Sequence, residues 1–326
     1  MNRTIAITGA TGFAGRHAVA ALLAAGHRVK ALVRDPATAR MPAEVELVHG
    51  DIFASDALGA LLDGTDGVVH LAGVLAAAHR HDYFRVNAHG TVALAEAAAR
   101  AGTKRFIHIS SLAAREPALS SYAASKRAGE DAISALGEKL NAVIIRPPAV
   151  YGPGDRGTLP LIKELTRPIA AIPSPADARF SLIHGADLAR IILRAVAGDD
   201  RGIHEVSDGK AGGYSWADLI RIAEAERGGR IRAVFLPSAV PFAVALAAET
   251  LSRVTGKPGM VNRGKVRELY HRDWVSREGT LGLADPIPFA QGFAETVSWY
   301  RNAGWLPGTS SADRTATQKI DGIKHR

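Results

Sequence analysis

Three glycines near the N-terminus constrain the fold of this 326-residue chain more than any other feature. Gly9, Gly12 and Gly15, in "TGATGFAG", follow the β-branched run "TIAIT" and precede an Ala/Leu-rich stretch that is typical of a helix. Glycines at this spacing allow a tight strand–turn–helix connection and let a pyrophosphate approach the positive end of the helix. The motif therefore predicts a dinucleotide-binding loop, to which Thr11 and Phe13 contribute further contacts.

Short apolar strands alternate with helical stretches through the first half of the chain. Helical patterns such as 15–26 and 89–102 separate the strands, and Gly26 and Gly102 stand where helix-terminating glycines belong. Because the strands are continuously apolar, the alternation predicts an α/β Rossmann fold with a doubly wound parallel sheet. The predicted strands are "TIAIT" (4–8), "HRVKALV" (27–33), "VELVHG" (45–50), "GVVHLAG" (67–73), "RFIHIS" (105–110) and "AVIIRP" (142–147).

After the sixth strand the alternation breaks, which divides the chain into two predicted parts. Residues 1–155 are predicted to form the dinucleotide-binding domain, to which 184–208 return with one helix and one short strand. Residues 156–183 and 209–306 are predicted to form a smaller, interleaved C-terminal lobe that holds the substrate. The polar, aperiodic segment 307–326 is predicted to be a disordered tail.

Composition limits the compartment and the partners. The chain has no cysteine, which excludes disulfides and cysteine-ligated metals, and its N-terminal segment lacks the pattern of a secretory signal. We therefore expect a cytoplasmic protein without a metal site. The net charge is +8, but the basic residues are spread along the chain, so we expect no nucleic-acid partner. A phosphate-bearing ligand and an anionic membrane surface both fit the charge, and the chain is expected to be a monomer or a homodimer.

The end of the second strand bears on the choice of dinucleotide. Arg34 follows Val33 at the position where NAD-binding loops place an acidic residue, and Asp35 comes one position too late. Because an arginine there pairs with the 2′-phosphate of NADP, we expect NADP, with NAD as the alternative. The ends of later strands supply other predicted cofactor contacts, which are Asp51, Ile52, Leu71, Ala72, Gly73, Ile109 and Pro147.

A serine, a tyrosine and a lysine follow the fifth strand. Ser111 ends "HISS" at the edge where open α/β sheets bind ligands, with Ser110 beside it as an alternative. Tyr122 and Lys126, in "SSYAASK", are four residues apart and share one face of a predicted helix. The spacing alone does not distinguish a catalytic pair from two ordinary helix residues.

The order of six motifs resolves this ambiguity. "TGATGFAG", "HLAG", "VNAHGT", "HISS", "YAASK" and "RPPAVYGPG", across about residues 3–190, closely resemble the extended short-chain dehydrogenase/reductases, the NAD-dependent epimerase/dehydratase family. The resemblance implies an NAD(P)-dependent oxidoreductase that acts on a ketone or its alcohol. Tyr122 would donate the proton, Ser111 would orient the carbonyl, and Lys126 would lower the pKa of the phenol and hold the nicotinamide ribose. Asn87 would neighbour the cofactor and Lys126, or serve only as a structural hydrogen bonder.

The stretch after the sixth strand bears on the substrate. Sugar-nucleotide members of the family typically carry an asparagine at the position of Ala149, where it contacts a nucleotide phosphate. "RP" followed by an apolar residue resembles instead the 3β-hydroxysteroid dehydrogenase and dihydroflavonol reductase type, and bacterial lipid ketone reductases. The resemblance implies reduction of a ketone on an apolar, lipid-like molecule such as 3-oxo-ceramide or a related sphingoid or steroid-type ketone. A sugar-nucleotide epimerase or dehydratase is the alternative.

An uncharged run of sixteen residues, 233–248, lies in the second half of the chain. It is shorter than a membrane span and contains Pro237 and Pro241, so we do not expect it to cross a bilayer. Basic residues flank the run on both sides. The pattern is consistent with a buried helix of the second lobe, with the roof of an apolar pocket, or with a helix that lies on the inner face of the membrane.

Overall fold

The computed structural model describes residues 2–255, 261–277 and 281–307. The strands are β1 (Thr4–Thr8), β2 (Arg28–Val33), β3 (Val45–His49), β4 (Gly67–His70), β5 (Arg105–Ile109), β6 (Ala142–Arg146), β7 (Ala149–Tyr151), β8 (Ile169–Ile172), β9 (Arg179–Phe180), β10 (Leu182–His184), β11 (Gly202–Glu205), β12 (Tyr214–Ser215), β13 (Arg232–Phe235) and β14 (Asp273–Trp274). The α-helices are α1 (Phe13–Ala24), α2 (Ser55–Leu62), α3 (Arg80–Phe84), α4 (Gly90–Arg100), α5 (Ser121–Ala135), α6 (Leu159–Leu165), α7 (Gly185–Ala197), α8 (Trp216–Arg227), α9 (Ala239–Thr255), α10 (Arg263–Leu269) and α11 (Phe289–Asn302).

A seven-stranded sheet in the order β11-β6-β5-β4-β1-β2-β3 forms the centre of the molecule. Every pair of neighbouring strands in it is parallel. Ile5 and Ile7 of β1 pack on one face with α1 and α7, whereas Ala6 packs on the other with α2 and α4. All six predicted strands lie in this sheet, which confirms the doubly wound Rossmann fold. The order reverses between β1 and β4, so that the carboxyl ends of these strands flank a ligand-binding crevice.

The second half of the chain adds a smaller lobe with its own core. Three small sheets pair β7 with β10, β8 with β13, and β9 with β12 and β14. Buried aromatic side chains from β7, α8 and α11 pack together in this lobe, and they are Tyr151, Trp216, Phe289, Phe293 and Tyr300. Arg115 ties the lobe to the sheet, because its guanidinium donates to the Val275 carbonyl at 2.8 Å and pairs with Glu205 at 3.3 Å. The residue boundaries of the two parts stay a prediction, and the predicted tail lies outside the described residues from 308 onward.

The uncharged run at 233–248 does not form one buried helix, so this one of the three alternatives for the segment is wrong. Its first residues belong to β13, which pairs in parallel with β8, and α9 begins only at Ala239, after Pro237. Within α9, Ala245 and Ser252 are buried, while Val244 and Leu251 are exposed. In the part of the chain that the structure describes, no helix combines the length and the apolar character needed to cross a membrane.

Candidate active site

The glycine loop is shaped by close backbone contacts. A Cβ on Gly15 would lie 2.1 Å from the Gly9 carbonyl oxygen, and a Cβ on Gly9 would lie 2.6 Å from the Ala72 nitrogen, at a φ of +76°. A Cβ on Gly12 would meet nothing nearer than the Gly9 oxygen at 3.3 Å. Gly9 and Gly15 are thus required for packing between β1, α1 and the end of β4. Gly12, at the N-cap of α1, leaves its open side to the cleft, which fits the approach of a pyrophosphate.

A cleft of about 1060 Å³ runs from this loop across the carboxyl ends of the strands into the second lobe. It brings together most of the predicted site residues. Those that line the cleft are Gly9, Gly12, Phe13, Gly15, Leu71, Gly73, Ile109, Ser111, Tyr122, Lys126 and Pro147. The glycine half suits a dinucleotide, and the Tyr122 half opens toward residues of the second lobe.

Six predicted cofactor contacts do not line the cleft. Thr11 and Arg34 are exposed, and Ala72 packs behind Gly9. The Asp51 carboxylate accepts from the backbone N–H of Phe53 at 3.0 Å, and Ile52 is buried in the core under β3. The sixth of these residues is Asn87.

Asn87 is fully buried and uses its amide within the protein. Its oxygen accepts from the Val74 N–H at 2.8 Å, and its nitrogen donates to the Val74 carbonyl at 3.1 Å and to Ser125 Oγ at 3.0 Å. The side chain therefore fastens the loop after β4 to α5. Of the two roles that the sequence left open, these contacts favour the structural one.

Helix α5 positions the tyrosine and the lysine. Ser120 caps its N-terminus, accepting from the Ala123 N–H at 2.9 Å, which places Tyr122 in the first turn and Lys126 one turn later. Lys126 is 4% exposed, and its Nζ donates to the Ile109 carbonyl at the end of β5 at 2.7 Å. Burial lowers the pKa of Lys126 to about 8, although the negative charge of Glu130 acts in the opposite direction.

The phenol of Tyr122 is not activated by the protein alone. Burial raises its pKa to about 12, the Ser111 hydroxyl counteracts this by favouring the phenolate, and the Glu268 carboxylate raises the pKa further. The direction of the shift is therefore upward in the protein without its cofactor, and the lowering expected from Lys126 together with the oxidised nicotinamide stays a prediction. Tyr122 is protonated at neutral pH, as a proton donor must be.

A buried ionic network explains why Ser111, and not Ser110, faces Tyr122. Ser110 donates to Glu130, which is fully buried one turn after Lys126. Arg146, at the end of β6, holds the same carboxylate with two hydrogen bonds, one of them 2.9 Å from Nε to Oε1. Sequence reasoning missed this network. Its signals are an acidic residue four positions after the lysine and an arginine at the end of a predicted buried strand.

Two buried histidines, also missed from the sequence, stack behind Lys126 with ring centroids 5.1 Å apart. His70 contacts Thr8 Oγ1 at 2.7 Å and Thr91 Oγ1 at 2.9 Å, and burial lowers its pKa to about 3. Burial also holds the pKa of His108 well below its ordinary value. Both rings are thus neutral at physiological pH and add no positive charge beside Lys126.

Comparison with known proteins identifies the family. The model of the NAD-dependent epimerase/dehydratase family matches residues 5–207. The chain belongs to this family. The match confirms the resemblance drawn from the motifs, and it makes the chain an NAD(P)-dependent oxidoreductase with a nicotinamide cofactor.

Individual members of the family are similar to this chain over different lengths. A ceramide reductase of Caulobacter vibrioides is 42% identical over 308 residues, 93% of this chain and 96% of its own length. A UDP-glucose 4-epimerase of Vibrio cholerae is 32% identical over 225 residues, 60% of this chain and 67% of the epimerase. Among solved structures, the dTDP-glucose 4,6-dehydratase DesIV of Streptomyces venezuelae, with NAD and TYD bound, has a TM-score of 0.69 at 23% identity. It covers 93% of this chain and 99% of its own chain, and it shows the shared fold.

Proposed function

We propose that this member of the family uses NADPH to reduce a ketone on a long, lipid-like substrate. The observation that carries the proposal is the apolar character of the cleft beyond Tyr122. Both lobes contribute apolar side chains to it, including Leu75, Ala113, Pro148, Phe180, Leu182 and Trp216. An acyl or alkyl chain gains about 0.8 kcal/mol for each methylene that such a surface removes from water. The 42% identity to a ceramide reductase supports 3-oxo-ceramide or a related sphingoid or steroid-type ketone as the substrate.

Ala149 supports the lipid over the sugar nucleotide. It lines the cleft at the start of β7, where sugar-nucleotide members of the family carry an asparagine. A methyl side chain offers no donor to a nucleotide phosphate, so a buried phosphate at this place would lack that partner. The similarity to a UDP-glucose 4-epimerase keeps epimerisation as the rival that the experiment has to exclude.

The preference for NADPH is supported by the end of β2. Arg34 is exposed there, available to pair with a 2′-phosphate. Asp35 binds its own turn, accepting from the Ala37 N–H at 3.0 Å and from the Thr38 hydroxyl at 2.9 Å. A carboxylate that is held in this way is not presented to the ribose hydroxyls, which an NAD-specific site requires.

Three side chains would perform the chemistry. When bound, the nicotinamide supplies the hydride that adds to the carbonyl carbon. Ser111 donates a hydrogen bond to the carbonyl oxygen, and Tyr122 gives its phenolic proton to the same oxygen as negative charge develops there. Lys126, anchored on the Ile109 carbonyl and one turn from Tyr122, provides the positive charge that stabilises the resulting phenolate. The ketone thereby gains a hydride and a proton and becomes an alcohol.

We also propose a location and an assembly state for the enzyme. The cysteine-free composition suits the cytoplasm, and a substrate with long chains would be reached at the inner face of the membrane. The enzyme would act as a monomer or a homodimer.

A panel of ketones of increasing chain length, assayed by NADPH absorbance beside UDP-sugars, tests the function. We expect kcat/KM to rise with chain length and to be higher for 3-oxo-ceramide than for short soluble ketones. Interconversion of a UDP-sugar without NADPH consumption, together with no dependence on chain length, would assign the chain to the epimerases instead. An Ala149→Asn variant provides the matched comparison, because it places the hydrogen-bond donor of the sugar-nucleotide enzymes at this one position.

A further inference from the structure

Helix α9 presents apolar side chains to solvent. Val240, Val244, Leu246 and Leu251 are 50%, 57%, 52% and 62% exposed. Val240, Val244 and Leu251 fall within about 40° of one another around the helix axis, as their spacing of four and seven residues requires. A surface helix normally turns its polar residues outward, so this arrangement is inverted.

The less exposed side of α9 borders the active-site cleft. Glu249 and Ser252 of α9 line the cleft, and Arg263 of α10 joins the two helices by donating to Glu249 from its backbone N–H at 2.7 Å. Two residues that line the cleft are themselves exposed apolar side chains, Val261 at 45% and Leu269 at 39%. Leu75, which also lines the cleft, is 64% exposed. We call the four α9 residues together with Leu75, Val261 and Leu269 the α9 face.

Exposed arginines line the same cleft and precede α9 in the chain. Arg80 and Arg267 line the cleft and are exposed, and Arg230 and Arg232 are exposed just before α9. The acidic residues at the same rim are neutralised in pairs, Glu249 by Arg263 at 2.9 Å and Glu268 by Lys265 at 3.1 Å. The rim therefore carries an excess of positive charge next to an apolar surface.

We propose that the α9 face docks on the surface of an anionic phospholipid bilayer, with the mouth of the cleft against the lipid. Apolar side chains would enter the boundary of the acyl chains, and the arginines around them would meet the phosphate groups. A second copy of the chain fits less well, because a symmetric contact would bring the basic rim against itself. This docking is independent of the reaction that is catalysed, so it is tested without turnover.

Vesicle flotation with purified full-length protein tests the proposal. We expect the wild type to float with vesicles that contain phosphatidylglycerol, to float less with pure phosphatidylcholine, and to be released from the anionic vesicles by salt. The double variant Val244→Glu/Leu251→Glu should lose at least about tenfold in partitioning, because two apolar anchors are replaced by anions. Arg80→Ala/Arg267→Ala should weaken binding to the anionic vesicles alone.

Ile203→Glu is the matched control. Ile203 is 44% exposed on β11, at an edge of the central sheet, and its replacement should leave flotation unchanged. Circular dichroism and activity on a short, soluble ketone should be the same for the α9 variant and the wild type, which separates docking from folding and from catalysis. Equal flotation of the α9 variant and the wild type would overturn the proposal. So would light scattering that shows a dimer which Val244→Glu converts to a monomer, because a second copy would then cover the face.

Discussion

Replacing Lys126 by methionine should stabilise the cofactor-free protein while abolishing its activity. Burial lowers the pKa of this lysine from 10.5 to about 8. At roughly 1.4 kcal/mol for each pH unit, the buried ammonium costs the folded state about 3 kcal/mol near pH 7. Loss of the hydrogen bond to the Ile109 carbonyl removes about 1–2 kcal/mol of that gain. The net stabilisation expected for Lys126→Met is therefore about 1–2 kcal/mol at pH 7.

The pH dependence of this difference follows from the direction of the shift. Between pH 8 and 10.5 the unfolded chain keeps the proton on Lys126 and the folded chain releases it, so the stability of the wild type rises with pH. By pH 9.5 this relief amounts to about 2 kcal/mol, since 1.5 pH units lie above the folded-state pKa. Lys126→Met lacks the titrating amine, so its stability does not rise with pH in this way. Its advantage over the wild type at pH 7 should therefore vanish at pH 9.5.

Urea denaturation of both proteins without cofactor, at pH 7 and pH 9.5, measures the effect. Lys139→Met, at an exposed lysine just after α5, is the control and should show no pH-dependent difference from the wild type. Cofactor titration should show that Lys126→Met has lost affinity. If Lys126→Met were less stable than the wild type at pH 7, with the same pH dependence, the reasoning about the buried ammonium would be refuted.

Three further predictions concern the proton donor, the glycine loop and the end of β2. Tyr122→Phe should bind cofactor normally and lose about 10²–10⁴-fold in turnover, as measured by NADPH absorbance with the preferred ketone. Gly15→Ala should lower the midpoint of thermal unfolding, because its Cβ would lie 2.1 Å from a carbonyl oxygen, whereas Gly12→Ala should fold normally and weaken cofactor binding. Arg34→Ala should reduce the affinity for NADPH about ten- to a hundredfold and leave that for NADH unchanged in fluorescence titrations. Equal affinity of the wild type for both cofactors would contradict the assignment to NADPH.

The fold and the centre of the site were predictable because their signals are local. The six predicted strands are short, largely apolar runs, and the turn after β1 depends on Gly9 and Gly15, whose close backbone contacts leave no room for a side chain. Tyr122 and Lys126 meet because four residues make about one helical turn. Periodicity and spacing of this kind are properties of consecutive residues.

The surroundings of the site depended on residues far apart in the chain. Glu130 meets Ser110 and Arg146 only after α5 has packed across β5 and β6, and this choice of partner decides which serine faces the tyrosine. From the sequence, Asn87 is predicted to neighbour the cofactor, whereas in the structure its amide is hydrogen-bonded to Val74 and Ser125. The pKa of Tyr122 follows burial, a property of the assembled cleft and not of the motif.

The same division applies to the uncharged run before and within α9. The sequence by itself determined that this segment is apolar and too short to cross a membrane, because hydropathy and length are properties of consecutive residues. Only the tertiary structure decided that β13 joins β8 and that α9 keeps its apolar side in solvent beside the cleft. Whether an apolar side chain is buried depends on which surface is left to cover it. That surface exists only once the rest of the chain has folded.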